Sequence, residues 1–348
     1  MGKYLTAILA LANWFERQKR VLPWRDEPTL YRVWISEIML QQTQVATVVP
    51  YFERFIGRFP TVEALAGASI DEVLHAWAGL GYYSRARNLH RGAHWIVEQG
   101  AFPQTREQWL EVPGVGPYTA GAIVSIALGQ PEPILDGNVE RVMSRLRRVS
   151  RVRGDSFFKQ RLWKLSKIWV RDAHRHGVPS SVLNQALMEL GATVCSVRAP
   201  RCERCPLSGV CRAREKGEQE NYPPRRAAKQ WIEVREELHC VLLEGATRAQ
   251  VLLRKRAAGE WRAGLWDLLA EKPEFRCLKS AGEVQTRHIV TRHRITRLTR
   301  VWKLESTAML ELENLGNDYR WVDALLPEVA VGSALKKTLA AVTAEGGL

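Results

Sequence analysis

The sequence has no apolar run long enough to span a bilayer, and its opening Met1-Gly2-Lys3-Tyr4-Leu5 lacks the long apolar centre of a secretory signal. Both absences lead us to expect a soluble, cytoplasmic protein. Cysteine is scarce, with six in 348 residues. In a reducing compartment that speaks against a disulfide framework and leaves metal or redox chemistry for them. Acidic residues are also short: 37 Asp and Glu face 51 Lys and Arg, a net charge of +14. A polyanionic partner is favoured, nucleic acid before membrane. A merely basic soluble protein is the plainer alternative. No repeat of about 20–50 residues is present. What is there, 46% apolar residues in a chain of this length, suffices for roughly two domains with real cores.

Residues 1–212 read as almost entirely helical. Leu5, Ile8, Leu9 and Ala12 follow helical spacing, and a second helix is expected from Thr29 to Val48. Ser69 with Glu72 and Thr105 with Gln108 have the spacing of capping boxes. The central stretch is Val112-Pro-Gly-Val-Gly-Pro-Tyr-Thr-Ala-Gly121, followed by Leu135-Asp136-Gly-Asn138. Gly114 and Gly116 make a tight turn, and Pro117 suits the first position of a helix reaching Leu128. Unpaired backbone N–H groups at that helix start form an anion site suited to a DNA phosphate. Asp136 opens another helix, Val139 to Val149, as an N-cap or as something more.

The expected second helix carries Glu37 among Trp34, Ile35 and Ile38, followed by Leu40-Gln41-Gln42-Thr43. If that site is dry, the carboxyl is raised toward neutrality and suits a general acid. If it is wet, Glu37 is a solvated face and the glutamines are surface amides. Gly79-Leu-Gly81-Tyr82-Tyr83-Ser-Arg85-Ala-Arg87 places two rings before two guanidiniums, suiting insertion beside bases with phosphate contacts behind, or equally a core aromatic pair. Cys195, Cys202, Cys205 and Cys211 give C-x6-C-x2-C-x5-C. Zinc usually shows two paired knuckles, and only one C-x2-C pair is present, so a cubane iron–sulfur cluster is the better reading.

Together these motifs resemble the MutY adenine DNA glycosylases of the helix-hairpin-helix, iron–sulfur superfamily that includes endonuclease III. The match runs through Leu22-Pro-Trp24-Arg25, Trp34-Ile-Ser-Glu37, Leu40 to Thr43, Gly79 to Arg87, Val112 to Gly121, Leu135 to Asn138, Asn184 to Gly191 and the four cysteines. It covers essentially all of 1–212. The resemblance implies an α+β multidomain fold: an all-α helix-hairpin-helix glycosylase domain with an iron–sulfur loop (1–213, loop 195–211), and a Nudix-like α/β C-terminal domain (231–348). It implies excision of adenine mispaired with 8-oxoguanine or guanine in double-stranded DNA, by a monomer holding a 4Fe–4S cluster on the four cysteines. Glu37, Asp136, Tyr118 and Asn138 are the implied catalytic residues. Arg20, Trp24, Leu40 and Glu189 are placed around the flipped base, and Gln41, Gln42, Tyr82, Gly114 and Gly116 on the DNA. Lyase-active relatives carry a Lys where this chain has Tyr118, which implies a monofunctional enzyme with water as final nucleophile.

Residues 214–230 are polar, with Pro223-Pro224 and Arg225-Arg226, and read as an extended linker. Beyond them Leu238–Leu243, Gln250–Arg254, Gln285–Ile289 and Leu298–Leu304 read as strands and Ser333–Val342 as a helix. The Arg-Glu-x-x-Glu-Glu series of a Nudix pyrophosphatase is missing. The family reads 8-oxoguanine with a Phe-Ser-His loop; here the segment from Arg287 to Ile295 has no Phe. Thr291, Arg292 and His293 are the candidates for that contact. The alternative makes Arg287, Arg292, Arg294, Arg297 and Arg300 an outward phosphate-binding face.

Overall fold

The computed structural model describes residues 3–150, 157–223, 230–244, 249–257, 259–275, 277–305, 318–325 and 327–345. In chain order the helices are α1 (Lys3–Gln18), α2 (Pro23–Asp26), α3 (Leu30–Leu40), α4 (Val45–Arg58), α5 (Val62–Gly67), α6 (Ile70–Trp77), α7 (Ser84–Glu98), α8 (Arg106–Glu111), α9 (Pro117–Ala127), α10 (Gly137–Arg147), α11 (Phe157–Arg175), α12 (Ser180–Thr193) and α13 (Arg212–Glu215). Then follow β1 (Ile232–Glu244), β2 (Gln250–Lys255), β3 (Trp266–Asp267), β4 (Leu278–Val290), β5 (His293–Glu305), β6 (Tyr319–Asp323) and α14 (Ser333–Ala344). They form two compact units, residues 1–66 with 88–227, and residues 67–87 with 228–348.

In the helical unit α1 presents Ile8, Leu11, Ala12 and Phe15 as a buried stripe at helical spacing. Burial of each large side chain contributes about 1.5–3 kcal/mol. They join one core with Val139, Val142 and Met143 of α10, Phe158 and Leu162 of α11, and Leu183, Leu187 and Leu190 of α12. α3 is buried from Val33 through Met39. That includes Glu37, which already sets this helix apart from a one-sided surface helix. Both expected capping boxes are formed, at Ser69–Glu72 and Thr105–Gln108. The turn from α8 into α9 needs Gly114 at φ 83°, where a Cβ would also lie 2.6 Å from the Asn88 side chain.

Two expectations change here. The helix expected over 29–48 is two helices, because Gln41 turns extended (ψ 111°) and Gln42 is left-handed (φ 58°). The stretch expected as an extended linker is partly folded onto the helical unit. Arg145 Nε donates to the Tyr222 carbonyl at 2.9 Å, Arg148 pairs with Glu218 at 2.5 Å, and the Ala199 amide donates to Glu220 at 2.8 Å. Residues 224–229 of it lie outside the described residues.

The other unit is a mixed sheet, six-stranded among the described residues, in the order β3-β2-β1-β5-β4 with β6 also on β2. β1 and β5 run parallel from Ile232↔His293 to Glu244↔Glu305, and β4 and β5 form an antiparallel hairpin closed at Val290↔His293. α14 covers one face, packing Leu335, Leu339 and Val342 against Leu238, Cys240, Val284 and Val301. β3 and β6 were not expected from sequence; each is short. Residues 67–87 pack here too: Asp71 pairs with Lys255 at 2.7 Å, Tyr83 Oη donates to the Val331 carbonyl at 3.2 Å, and Arg87 Nη1 to the Ala263 carbonyl at 2.7 Å. The packing division therefore differs from the sequence division at 213 and 230.

Candidate active site

A cavity of about 510 Å³ in the helical unit is lined by Arg20, Trp24, Glu37, Leu40, Gln41, Gln42, Tyr118, Asp136, Asn138 and Glu189, with Arg25, Gln185 and Met188. Five stretches of chain build most of it: 20–25, the end of α3 with the Gln41-Gln42 break, α9, the first turn of α10, and one face of α12. All four candidate catalytic residues and all four candidates around the base reach the same wall.

Glu37 is buried, 4% exposed. Tyr118, in the first turn of α9, donates its hydroxyl to Glu37 Oε2 at 2.7 Å, and Met188 Sδ lies 3.2 Å from the Tyr118 hydroxyl oxygen. Burial is the main cause that pushes the Glu37 carboxyl up to about 7; the Tyr118 bond opposes it, the charge of Asp136 adds to it, and Arg25 opposes it. Burial likewise drives the Tyr118 phenol well above its usual range, so it stays a neutral donor.

Asp136 is the N-cap of α10: Oδ1 accepts from the Val139 amide at 2.7 Å and Oδ2 from Asn138 Nδ2 at 2.9 Å. Burial raises this carboxyl too, and these bonds, the Asn138 backbone bond and the Arg141 charge offset part of the rise. The two acids share a cavity and differ in support, one donor for Glu37 against several for Asp136. That is the asymmetry an acid and a standing carboxylate need. The plain N-cap reading of Asp136 is true, and the cap also aims the carboxylate into the cavity.

Sequence reasoning missed the residues that hold these groups. Arg141 Nη2 donates to Asn138 Oδ1 at 2.9 Å and to the Gly191 carbonyl at 2.6 Å, while its Nε donates to the Cys195 carbonyl at 2.6 Å. It fixes which end of the Asn138 amide faces Asp136. Its place one turn after Asn138 was a readable signal. Glu189, 1% exposed, meets Arg20 Nε at 2.6 Å and Arg25 Nη2 at 2.9 Å. Burial would raise its carboxyl, and the two guanidiniums outweigh that and lower it. Arg25 also reaches Gln185 Oε1 at 3.0 Å. Glu189 is thus an ion-paired wall group and not a surface charge.

Gln41 Nε2 donates to Thr119 Oγ1 at 3.3 Å, which ties the α3 break to α9. Gly116 caps α9 with no side chain, leaving open space within 4 Å. Tyr82, Thr291, Arg292 and His293 belong to the other unit. Tyr82 is left-handed (φ 49°), and Arg85 lies over the rings of both Trp77 and Tyr82. Thr291 and Arg292 form the two-residue tip of the β4–β5 hairpin. One expectation is corrected: Arg297 is fully buried, paired with Asp267 through two 3.0 Å bonds and with Glu236, so it is no part of an outward phosphate face. Arg287, Arg292, Arg294 and Arg300 are exposed.

The four cysteines are free thiols, each partly buried. Short helical turns at Cys202–Arg204 and Ser208–Val210 fold the loop back, and Cys211 caps α13. Burial raises the thiols of Cys202, Cys211 and Cys205, the last to about 12, and neighbouring cysteines add to each rise. Arg145 Nη1 lies 3.2 Å from Cys195 Sγ and donates to the Ser196 carbonyl at 2.7 Å. Mutually interacting thiols beside a buried guanidinium suit an anionic thiolate-ligated group. Among the described residues no three His, Cys, Asp or Glu side chains gather closely enough for a single ion.

A helical unit with a helix-hairpin-helix turn, a carboxylate-lined cavity and a C-terminal α/β sheet unit defines a DNA base-excision glycosylase fold. Residues 35–167 match the HhH-GPD superfamily base excision DNA repair proteins. The helical fold is similar to a thermostable thymine-DNA glycosylase (TM-score 0.53, 25% identity, 62% of this chain and 98% of that one). It is also similar in fold to endonuclease III in a non-covalent DNA complex (TM-score 0.50, 23% identity, 62% and 99%). The chain is also similar in sequence to curated adenine DNA glycosylases. It is 40% identical over 311 residues to the adenine DNA glycosylase of Homo sapiens, covering 74% of this chain and 56% of that protein. It is 40% identical over 232 residues to that of Buchnera aphidicola (strain APS), covering 66% and 65%. The chain thus spans less than two thirds of the length of these curated relatives.

Proposed function

We propose that the chain is a monofunctional adenine DNA glycosylase that removes adenine opposite 8-oxoguanine or guanine from double-stranded DNA. The observation that carries this reading is Glu37, buried and hydrogen-bonded to Tyr118, sharing one cavity with the N-capping Asp136. Glu37 gives its proton to N7 of the extruded adenine, so the base leaves neutral as the C1′–N9 bond breaks. Asp136 stays ionised and stabilises the oxocarbenium sugar. Tyr118 holds the Glu37 carboxyl through its hydroxyl, and Asn138 orients Asp136. Water supplies hydroxide to C1′ and returns its proton to a carboxylate. Arg20, Trp24, Leu40 and Glu189 shape the pocket around the base, and Gln41, Gln42, Tyr82, Gly114 and Gly116 meet the DNA.

Cys195, Cys202, Cys205 and Cys211 fit a 4Fe–4S cluster, which when bound supplies a rigid brace for the basic 195–211 loop. The sheet unit has the role of a Nudix-like lesion reader, through Thr291, Arg292 and His293. The protein acts as a monomer on DNA. Among the described residues no helix is long and apolar enough to cross a membrane.

The test uses an end-labelled duplex with one A:8-oxoguanine pair. Strand breakage only after alkali, with no borohydride-trapped protein–DNA adduct, is expected. Absence of alkali-sensitive sites counts against the reading, and a trapped adduct replaces it with a lyase.

A further inference from the structure

Among the described residues the methionines are Met39, Met143 and Met188. The first two are fully buried and fill the core, the ordinary use of an unbranched thioether. Met188, on α12, is only partly buried and lines the cavity, and with Tyr118 it packs against the helical core. Leucine, which stands at 187 and 190 on either side, would pack there as well. What leucine lacks is the sulfur, which lies 3.2 Å from the Tyr118 hydroxyl oxygen in hydrogen-bonding geometry. That hydroxyl therefore has two acceptors, Glu37 Oε2 at 2.7 Å and Met188 Sδ, and one hydrogen to give. Burial keeps the phenol protonated, so the hydrogen stays on the tyrosine and must choose between them.

We propose that Met188 is a positioning residue for Glu37: its sulfur receives the Tyr118 hydrogen whenever Glu37 carries a proton on Oε2, and so holds the acid in its neutral form. This rests on the glycosylase reading above, in which Glu37 protonates the base. While Glu37 is ionised, the carboxylate is the stronger acceptor and the phenol points at it. A proton taken up on Oε2 reverses that bond. The carboxyl now donates to the Tyr118 oxygen, and the phenol O–H, unbroken, rotates to the sulfur. The thioether thus stabilises the protonated state and leaves the ionised one untouched. Its removal lowers the pH at which Glu37 gives up its proton. The charges around Glu37 come from other side chains: Asp136 at the start of α10 favours the neutral form and Arg25 on α2 the ionised one. Glu189 on α12 is already paired with Arg20 and Arg25. Met188 carries no charge, so its leverage on Glu37 runs through the Tyr118 hydrogen.

The full-length protein is assayed for single-turnover excision of adenine opposite 8-oxoguanine as a function of pH, each variant scaled to its own acid plateau. Met188→Leu keeps the volume and is expected to move the alkaline fall in rate about half a pH unit lower, the reach of one weak acceptor. Met188→Gln returns an acceptor and should bring the fall back to its wild-type position. In a Tyr118→Phe background Met188→Leu should move nothing further, because the hydrogen is gone. An unshifted fall in Met188→Leu overturns the proposal, as does a shift that persists in Met188→Gln or in Tyr118→Phe. If Met188→Leu melts below the assay temperature, norleucine at 188 takes its place, keeping the straight chain and dropping only the sulfur. Carboxyl-labelled glutamate, with the Glu37 resonance assigned by its loss in Glu37→Gln, reads the same midpoints by NMR without turnover and serves any variant too slow to assay. A wild type that releases no adenine sinks the functional reading, and the NMR midpoints still decide the role of Met188.

Discussion

Glu37 carries a cost that its chemistry explains. Its folded-state value, about 7, lies above the ordinary 4.5. Between those values the folded state holds a proton that the unfolded chain has lost. Stability from this group is therefore complete below about pH 4.5 and declines as pH rises to 7, by about 3 kcal/mol in all. Glu37→Gln is expected to melt higher than wild type at pH 8, with the difference vanishing near pH 4.5; equal melting at both pH values contradicts the dry-site picture. The same variant should lose at least about 100-fold in single-turnover rate, and the wild-type rate should fall as pH rises through 7. Asp136→Asn keeps an N-cap, so its melt should hold while excision is lost. The sequence displayed Glu37, Tyr118, Asp136 and Asn138 because each sits in a distinctive local motif. Arg25 and Gln185 were invisible as site residues, since only the fold brings Arg25 of α2 to Gln185 and Glu189 of α12, whereas Arg141 left a signal in its spacing from Asn138. Arg297 was misread because strand alternation gives two faces without saying which faces inward.

Elements were legible where local chemistry decides them. The start of α9 was readable from Gly116 and Pro117, and that of α10 from Asp136, because caps act within one turn. The join of α3 to α4 was not, since Gln41-Gln42-Thr43 carries no glycine or proline to announce a break. That break brings Gln41 and Gln42 to the cavity. The contact of α10 with α12 is another matter of fit: a Cβ on Gly191 would lie 2.5 Å from the Asn138 Cβ and 2.9 Å from its Cα. Gly191→Ala should destabilise by about 1–3 kcal/mol. It should also slow excision more than it weakens DNA binding, because the displaced residue is the one that orients Asp136. Urea melts and single-turnover rates check both parts; an unperturbed rate at reduced stability would separate packing from chemistry here.

At the scale of the molecule, the net charge of +14 sets the response to salt. With about five phosphate contacts, duplex affinity should drop on the order of 500-fold between 50 and 200 mM salt. A titration of binding against salt gives the slope, and a flat one removes phosphate contact as the source of affinity. Composition foretold a basic chain, and apolar spacing a helical part followed by a mixed α/β part. Neither could foretell that residues 67–87 would pack with the sheet, because that choice depends on partners 176 to 248 residues distant. This exchange of segments has a practical result for anyone dividing the gene. A single cut near residue 227 would deprive Asp71, Tyr83 and Arg87 of Lys255, Val331 and Ala263. Neither product would then be a finished body: one would bear an orphaned α6 with the loop after it, the other an uncovered seat.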